Sequence, residues 1–313
     1  MLIFIYLICS LLGLWLGTEV LIKGALKIAS FYNFSHVFIG LTVLAIGSDL
    51  PELFVAIKAS LISNQGLDTS GIIVGNALGS SIAQISVILG IAGMAGYLTL
   101  TKKQLMGEGL IMPLSIVLTF LVAYDGVISL TDGLILILAY LVYYISLLRL
   151  EKVTAHETKQ KGRAWPYILY ILAGGFLVIY ASDLVVENAI ILAESWGIRQ
   201  TFIGIIIISL GTSLPELAVS LNAAIKGSAG LSVGNLIGSN IFDLWIPVGV
   251  ASIIAPIQVN INYLIPDFIV LLAVSCLILI FFNKTKGLQK KEALGLIVFY
   301  IVYLGYKIVQ NVG

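Results

Sequence analysis

Charge is scarce in this sequence. Asp, Glu, Lys and Arg make up 11% of its 313 residues, where soluble proteins carry about 25%. No region is both polar and long enough to form a soluble domain, which excludes a chain of soluble globular units. Net charge is +1, so there is no acidic or basic bias of the kind that marks a nucleic-acid partner. Cysteine is almost absent: Cys9 and Cys276 both lie in apolar runs, which reads as two small buried thiols and excludes a disulfide framework. Met1-Leu2-Ile3-Phe4 has no basic leader or small-residue cleavage site and reads as the start of an uncleaved first span. What is abundant is apolar: 59% of residues, with mean hydropathy +1.08. The chain reads as an all-α polytopic membrane protein.

A spanning helix needs about 20 mostly apolar residues, and ten stretches qualify: 3–30, 36–62, 69–97, 104–124, 127–149, 165–194, 200–225, 230–254, 263–283 and 290–310. Residues 1–150 hold spans 1 to 5, 151–164 form a short polar linker, and 165–313 hold spans 6 to 10. Lys and Arg gather in alternate loops: Lys102, Lys103, Arg149, Lys152, Lys159, Lys161, Arg163, Lys226, Lys284, Lys286, Lys290 and Lys291 on one side, against Arg199 on the other. The first side, with the 149–163 linker, is therefore expected to be cytoplasmic, with both termini outside a cell membrane.

Inside span 2 sits a stretch out of keeping with its surroundings, Gly47-Ser48-Asp49-Leu50-Pro51-Glu52-Leu53. Carboxylates at bilayer depth cost roughly 2.5 to 3.5 kcal/mol each near the centre and mark functional sites by default. The stretch recurs 164 residues later as Gly211-Thr212-Ser213-Leu214-Pro215-Glu216-Leu217, with five of seven identities. Phe38-Ile39-Gly40 recurs as Phe202-Ile203-Gly204 at the same offset, and Glu19 falls opposite Asp183. A second pair, Gly75-Asn76-Ala77-Leu78-Gly79-Ser80-Ser81-Ile82 and Gly234-Asn235-Leu236-Ile237-Gly238-Ser239-Asn240-Ile241, agrees at five of eight with an offset of 159. A repeat of five spans places its two copies in opposite orientations, so two inverted five-helix repeats are expected, with a site near the midplane between them.

Pro51 and Pro215 each remove a backbone donor and clash with the carbonyl four residues back, so spans 2 and 7 are expected to break around Gly47 and Gly211. Asp49-x-x-Glu52 and Ser213-x-x-Glu216 also fit a capping box at the restart of each helix. Capping does not explain why two such breaks stand at equivalent depths of inverted halves. Ser48, Asp49 and Glu52 share one helix face, as do Thr212, Ser213 and Glu216. On spans 3 and 8, Gly75, Gly79, Gly234 and Gly238 offer smooth faces for close packing. Gln84 and Asp243 lie one turn beyond Ser80 and Ser239. Pooled, the four segments bring Asp49, Glu52, Glu216 and Asp243 together with Ser48, Thr212, Ser213 and Gln84. Oxygen ligands without His or Cys suit a hard cation, calcium above all, or sodium. Four carboxylates in a low dielectric need bound cations or protons for compensation, which is the outline of ion exchange.

On these residues the chain resembles the calcium/cation antiporter superfamily, and within it the prokaryotic sodium/calcium exchangers. The resemblance covers essentially the whole chain and rests on the paired G-[ST]-x-L-P-E and G-N-x-x-G-S-x-I motifs. It implies a ten-helix exchanger with broken helices 2 and 7, in which spans 2, 3, 7 and 8 form the ion site and spans 1 and 6 slide to alternate access. It further implies a central calcium-type site at Glu52 and Glu216 with the carbonyls of Ala45 and Ser209. Flanking sodium-type sites would draw on Ser48, Thr212, Ser213, Ser80, Ser239 and Asp243. Two positions depart from the family pattern: Asp49 stands where Ser or Thr is usual, and Gln84 where Asn or Asp is usual. Sodium, proton or potassium-dependent coupling stays open. Calcium and sodium, or protons, would be substrates. No cofactor, enzyme activity or protein partner is implied beyond membrane lipid.

Other classes compete less well. A channel predicts flux without counter-transport, and an intramembrane hydrolase using Asp49 and Asp243 has no accompanying peptide- or lipid-binding signature. Glu19 and Asp183 read either as gating groups or as local partners of Lys23 and Glu187. Lys23, Lys27 and Lys58 read as snorkelling side chains, and His36, Trp165, Trp196 and Tyr263 as interfacial residues. Asp125, Asp132 and Asp267 read as solvated caps at span ends.

Overall fold

The computed structural model describes residues 2–31, 45–100, 102–150, 165–284 and 287–312. The linker 151–164, with Lys152, Lys159, Lys161 and Arg163, lies outside the described residues, as do His36, Phe38-Ile39-Gly40 and Lys286. The described chain is almost wholly helical: α1 (Leu2–Phe31), α2 (Ala45–Ser48), α3 (Leu50–Ser63), α4 (Ser70–Ala95), α5 (Lys102–Met106), α6 (Glu108–Ala123), α7 (Leu130–Leu150), α8 (Trp165–Trp196), α9 (Gln200–Thr212), α10 (Leu214–Ile225), α11 (Ala229–Ile254), α12 (Ile261–Lys284) and α13 (Lys290–Val312). Two short strands, β1 (Val127–Ile128) and β2 (Ile257–Gln258), pair antiparallel and tie the α6–α7 turn to the α11–α12 turn.

Among the described residues, eight helices are long and apolar enough to cross a membrane, and α9 with α10, bent by 45° at their junction, make a ninth. Span 2 is described only from Ala45 onward, as α2 and α3. Helices α4 and α11 are largely enclosed by the others, whereas α7 shows most of its surface to lipid.

Glycine sets how closely the helices approach. A methyl group at Gly75 would lie 2.6 Å from the Thr201 carbonyl oxygen, and one at Gly79 would lie 2.6 Å from the Ile205 Cα, so α4 and α9 touch at backbone level. The same device joins the two longest helices: a Cβ at Gly174 of α8 would meet the Leu21 nitrogen of α1 at 2.5 Å, and one at Gly17 would meet the Val178 nitrogen at 2.9 Å. The bundle therefore contains two intimate pairs, α4 with α9 and α1 with α8.

The helix breaks fall two residues beyond the expected positions, at Asp49 and Ser213. Their backbones match: φ −84° and ψ 2° at Asp49, φ −83° and ψ 11° at Ser213, in the sparsely occupied bridge region. The ladder persists to these residues, since the Ser213 amide still donates to the Ser209 carbonyl at 3.1 Å. It is the missing Pro215 N–H, and in the other half the missing Pro51 N–H, that interrupts it.

Several expectations are overturned by packing. Cys9 and Cys276 are exposed on the outer surface of the bundle, not buried. Tyr263 is buried, with the Arg199 guanidinium 4.5 Å and the Lys307 ammonium 4.0 Å from its ring centroid, so it is no interfacial belt residue. Asp267 is no solvated cap: it is fully buried, accepts from Lys307 Nζ at 2.9 Å and receives the Tyr303 hydroxyl at 2.6 Å. Lys58 reaches Asp183 at 3.1 Å in place of snorkelling, and Asp183 takes that partner in place of Glu187. Lys23 pairs with Glu19 at 3.3 Å, in line with one of the two readings of Glu19. Asp125 and Asp132 do cap span ends, accepting the amides of Val127 and Ser129.

The α4–α9 contact yields a test. Gly79→Val forces a side chain into the Ile205 backbone and is expected to cost about 1–3 kcal/mol, read as a lower melting temperature of the detergent-solubilised protein. Gly295→Ala, on the open face of α13 where no atom lies within 4 Å, should leave it unchanged or raise it; equal effects of the two would refute the contact.

Candidate cation site

Four elements converge at the two breaks. Asp49 and Glu52 come from the α2–α3 junction, and Thr212, Ser213 and Glu216 from the α9–α10 junction. Ser80 and Gln84 come from α4, and Ser239, Asn240 and Asp243 from α11. Every one of these side chains is buried, Asp49 at 1% exposure and Glu52, Glu216 and Asp243 at 0%. Ser48 is buried beside them.

The contacts run between the halves of the chain. Ser213 Oγ donates to Glu52 Oε1 at 3.3 Å. Asp243 Oδ2 accepts from Ser80 Oγ and from Gln84 Nε2, each at 2.9 Å, while Asn240 Nδ2 donates to Gln84 Oε1 at 2.8 Å. Thr212 Oγ1 donates to Asn76 Oδ1 at 3.1 Å. The Asp49 carboxyl lies close to Glu216 and to the Ser239 hydroxyl. The two breaks are thus used alike: Ser213 of the second faces Glu52 of the first, and Asp49 of the first faces Glu216 of the second. Capping does not account for these groups, since neither Asp49 nor Ser213 makes a side-chain cap hydrogen bond.

Local backbone supports the convergence. Each broken-helix restart carries its Glu in the first turn, and α4 and α9 each contain a π-helical turn, at Gln84–Ile88 and Gly204–Ile208. Such turns add a residue to the helix and occur often at functional sites. The first begins at Gln84 itself, and the second ends just before Ser209. The Ser209 carbonyl already accepts from the Ser213 amide and from Thr212 Oγ1 at 3.3 Å, so a ligand role there would use what acceptor capacity remains. Ala45 opens α2, on the approach to the first break.

The electrostatics are unusual for a protein interior. Asp49 Oδ1, Glu52 Oε2, both Glu216 oxygens, Asp243 Oδ1, Ser239 Oγ and Asn240 Oδ1 are buried without a hydrogen-bond partner. The ion pairs Lys23–Glu19, Lys58–Asp183 and Lys307–Asp267 involve none of the four site carboxylates. Buried charge left unpaired is costly enough that a cation or protons must balance it. No group of three or more carboxylate, imidazole or thiolate side chains among the described residues closes into a metal cage. The oxygens gathered here are carboxylate, hydroxyl and amide, a donor set that suits calcium and sodium better than zinc or copper.

Asn76 and Asn240 belong to this network and escape a reading of the sequence alone. Asn76 is the Asn of the G-N-x-x-G-S-x-I repeat and Asn240 fills its variable position after Ser, in a stretch whose small residues draw attention away from its amides.

Comparison with known proteins identifies the family. A family model described as sodium/calcium exchanger protein matches residues 2–149 and 166–309. The chain is 30% identical over 345 residues to the sodium/calcium exchanger MaX1 of Methanosarcina acetivorans, spanning 96% of this chain and 97% of that protein. It is 32% identical over 281 residues to the inner membrane protein YrbG of Escherichia coli, spanning 86% and 85%. The solved structure of the sodium-calcium exchanger NCX_Mj soaked with 10 mM Na+ and zero Ca2+ superposes with a TM-score of 0.69 at 28% identity, over 96% of this chain and 97% of that one. With a shared fold along nearly its whole length and a family model that spans both of its halves, this chain belongs to the sodium/calcium exchanger family of membrane cation antiporters.

Proposed function

We propose that the protein is a secondary active antiporter that exchanges calcium for sodium by alternating access. Its ten helices form two inverted five-helix repeats, 1–150 and 165–313, joined by the cytoplasmic linker, and both termini face out of the cell. Glu52 and Glu216 bind the central calcium, with Asp49, Asp243, Ser48, Thr212, Ser213, Gln84, Ser80 and Ser239 and the carbonyls of Ala45 and Ser209 completing the calcium and sodium shells. The observation that carries this reading is the set of buried, partnerless carboxylate oxygens gathered at two matching helix breaks. Such a site is stable only when filled, so one ion leaves as another replaces it, and exchange follows from the cost of the bare state.

Proton coupling on the same scaffold is the second reading, and the burial of the Asp49 and Glu216 carboxyls together at the two breaks, with oxygens left without partners, favours it. Two carboxylates side by side repel unless a cation or a proton lies between them. The two readings separate in membrane vesicles. Sodium-loaded vesicles diluted into sodium-free medium should accumulate calcium-45; uptake driven by a pH gradient alone would sink sodium coupling.

Glu52→Gln and Glu216→Gln should each abolish calcium uptake, by about 100-fold or more for loss of a buried charged ligand, with normal amounts of protein in the membrane. Uptake at the unmodified rate in either variant would remove that residue from the site. Asp49→Ser restores the family pattern and should change the ratio of sodium-driven to pH-driven calcium uptake. A ratio identical to that of the unmodified protein would show that Asp49 has no part in ion choice.

A further inference from the structure

We propose that the Lys58–Asp183 ion pair is a latch that holds the transporter in one of its two access states and sets how fast it leaves that state. The proposal rests on the antiport reading, in which α1 and α8 move against the site helices. Lys58 lies on α3, six residues after Glu52, and Asp183 lies on α8; Nζ and Oδ1 are 3.1 Å apart, with the side chains 24% and 39% exposed. Asp183 stands near the middle of α8 and Lys58 within the last two turns of α3, both partly screened from the surface, so each group keeps its partner as long as geometry allows.

The internal repeat shows what the pair is for. At the offset of 164, Asp183 corresponds to Glu19, Glu187 to Lys23, and Lys58 to Asn222. Glu19 bonds Lys23 on its own helix at 3.3 Å. A pair within α1 travels with α1 and is indifferent to the access state. A pair between α3 and α8 lasts only while those two helices stay packed, as they are here: α8 runs along α3, whereas the corresponding pair, α1 and α10, touch only briefly. If the halves exchange packing, α1 moves onto α10 and Glu19 comes up to Asn222, a neutral amide where the other half offers an ammonium. An ammonium adds the attraction of a full opposite charge to the hydrogen bond, whereas a neutral amide offers the carboxylate only a dipole. Leaving the present state therefore breaks an ion pair that the arriving state does not replace, and the charge placement biases the equilibrium.

Hydrogen exchange on the reconstituted full-length protein tests this, read peptide by peptide alongside calcium-45 exchange. Asp183→Asn should raise exchange over residues 50–63, lower it over 214–225 and change the rate of calcium exchange by about two- to five-fold. Asn222→Lys, which gives the opposite state a matching pair with Glu19, should shift exchange in the same direction, although it touches neither Lys58 nor Asp183. The doubly reversed Lys58→Asp, Asp183→Lys protein should return to the unmodified pattern. A uniform rise in exchange across all helices in Asp183→Asn, or no shift in Asn222→Lys, would overturn the latch. The exchange pattern is read without transport, so failure of the antiport reading would appear separately, as absent calcium uptake under every gradient with the shift intact.

Discussion

Five carboxylate oxygens without partners, enclosed at the centre of an apolar bundle, are the constraint around which this structure is arranged. The paired ammonium groups of Lys23, Lys58 and Lys307 go to other acids. In a medium of low dielectric the energy of that arrangement depends steeply on what occupies it, which separates a transport site from a structural one. A structural site would carry its own counter-charge, as Asp267 does with Lys307 in the same protein. The protein thus holds two kinds of buried acid, one internally paired and the others with oxygens left without a partner.

The rest of the fold positions those oxygens. Proline removes one backbone donor in each half, the chain turns at Asp49 and Ser213, and each Glu projects from the first turn that follows. Glycine lets α4 and α9 meet backbone to backbone, so Asn76 of α4 reaches Thr212 beside the break in the second half. The α1–α8 pair is just as tightly joined to itself by Gly17 and Gly174. Two internally rigid units in contact through ordinary side chains can move relative to one another without either being disrupted, and the Lys58–Asp183 bond lies on that contact.

Much of the site is legible in the sequence. A Gly-x-x-Leu-Pro-Glu stretch inside an apolar run violates membrane solubility and recurs at a fixed offset, so Glu52, Glu216, Asp49 and Ser213 stand out together. Asn240 does not, because it fills a position that differs between the two copies of its repeat, opposite Ser81. The least legible residues are those whose role depends on which face of a helix meets protein. Cys9 and Cys276 lie in apolar runs and turn out to face outward; Tyr263, Asp267 and Lys307 lie near span ends and turn out to be buried together. In a membrane both lipid and protein interior are apolar, so hydropathy carries little information about facing.

The sequence by itself determined that the chain is membrane-embedded, that its two halves repeat, where the helices must break, and which acids would be anomalous at that depth. These follow from local chemistry: proline without a donor, charge without water, and identity at a fixed spacing. Only the tertiary structure decided that Ser213 serves Glu52 across the repeat, that Asp49 faces Glu216, and that Lys58 has its counter-ion on α8 in place of water. Those pairings join residues more than a hundred positions apart, and no local rule reaches that far; they exist because glycine-lined helices from opposite halves pack closely enough for the side chains to meet.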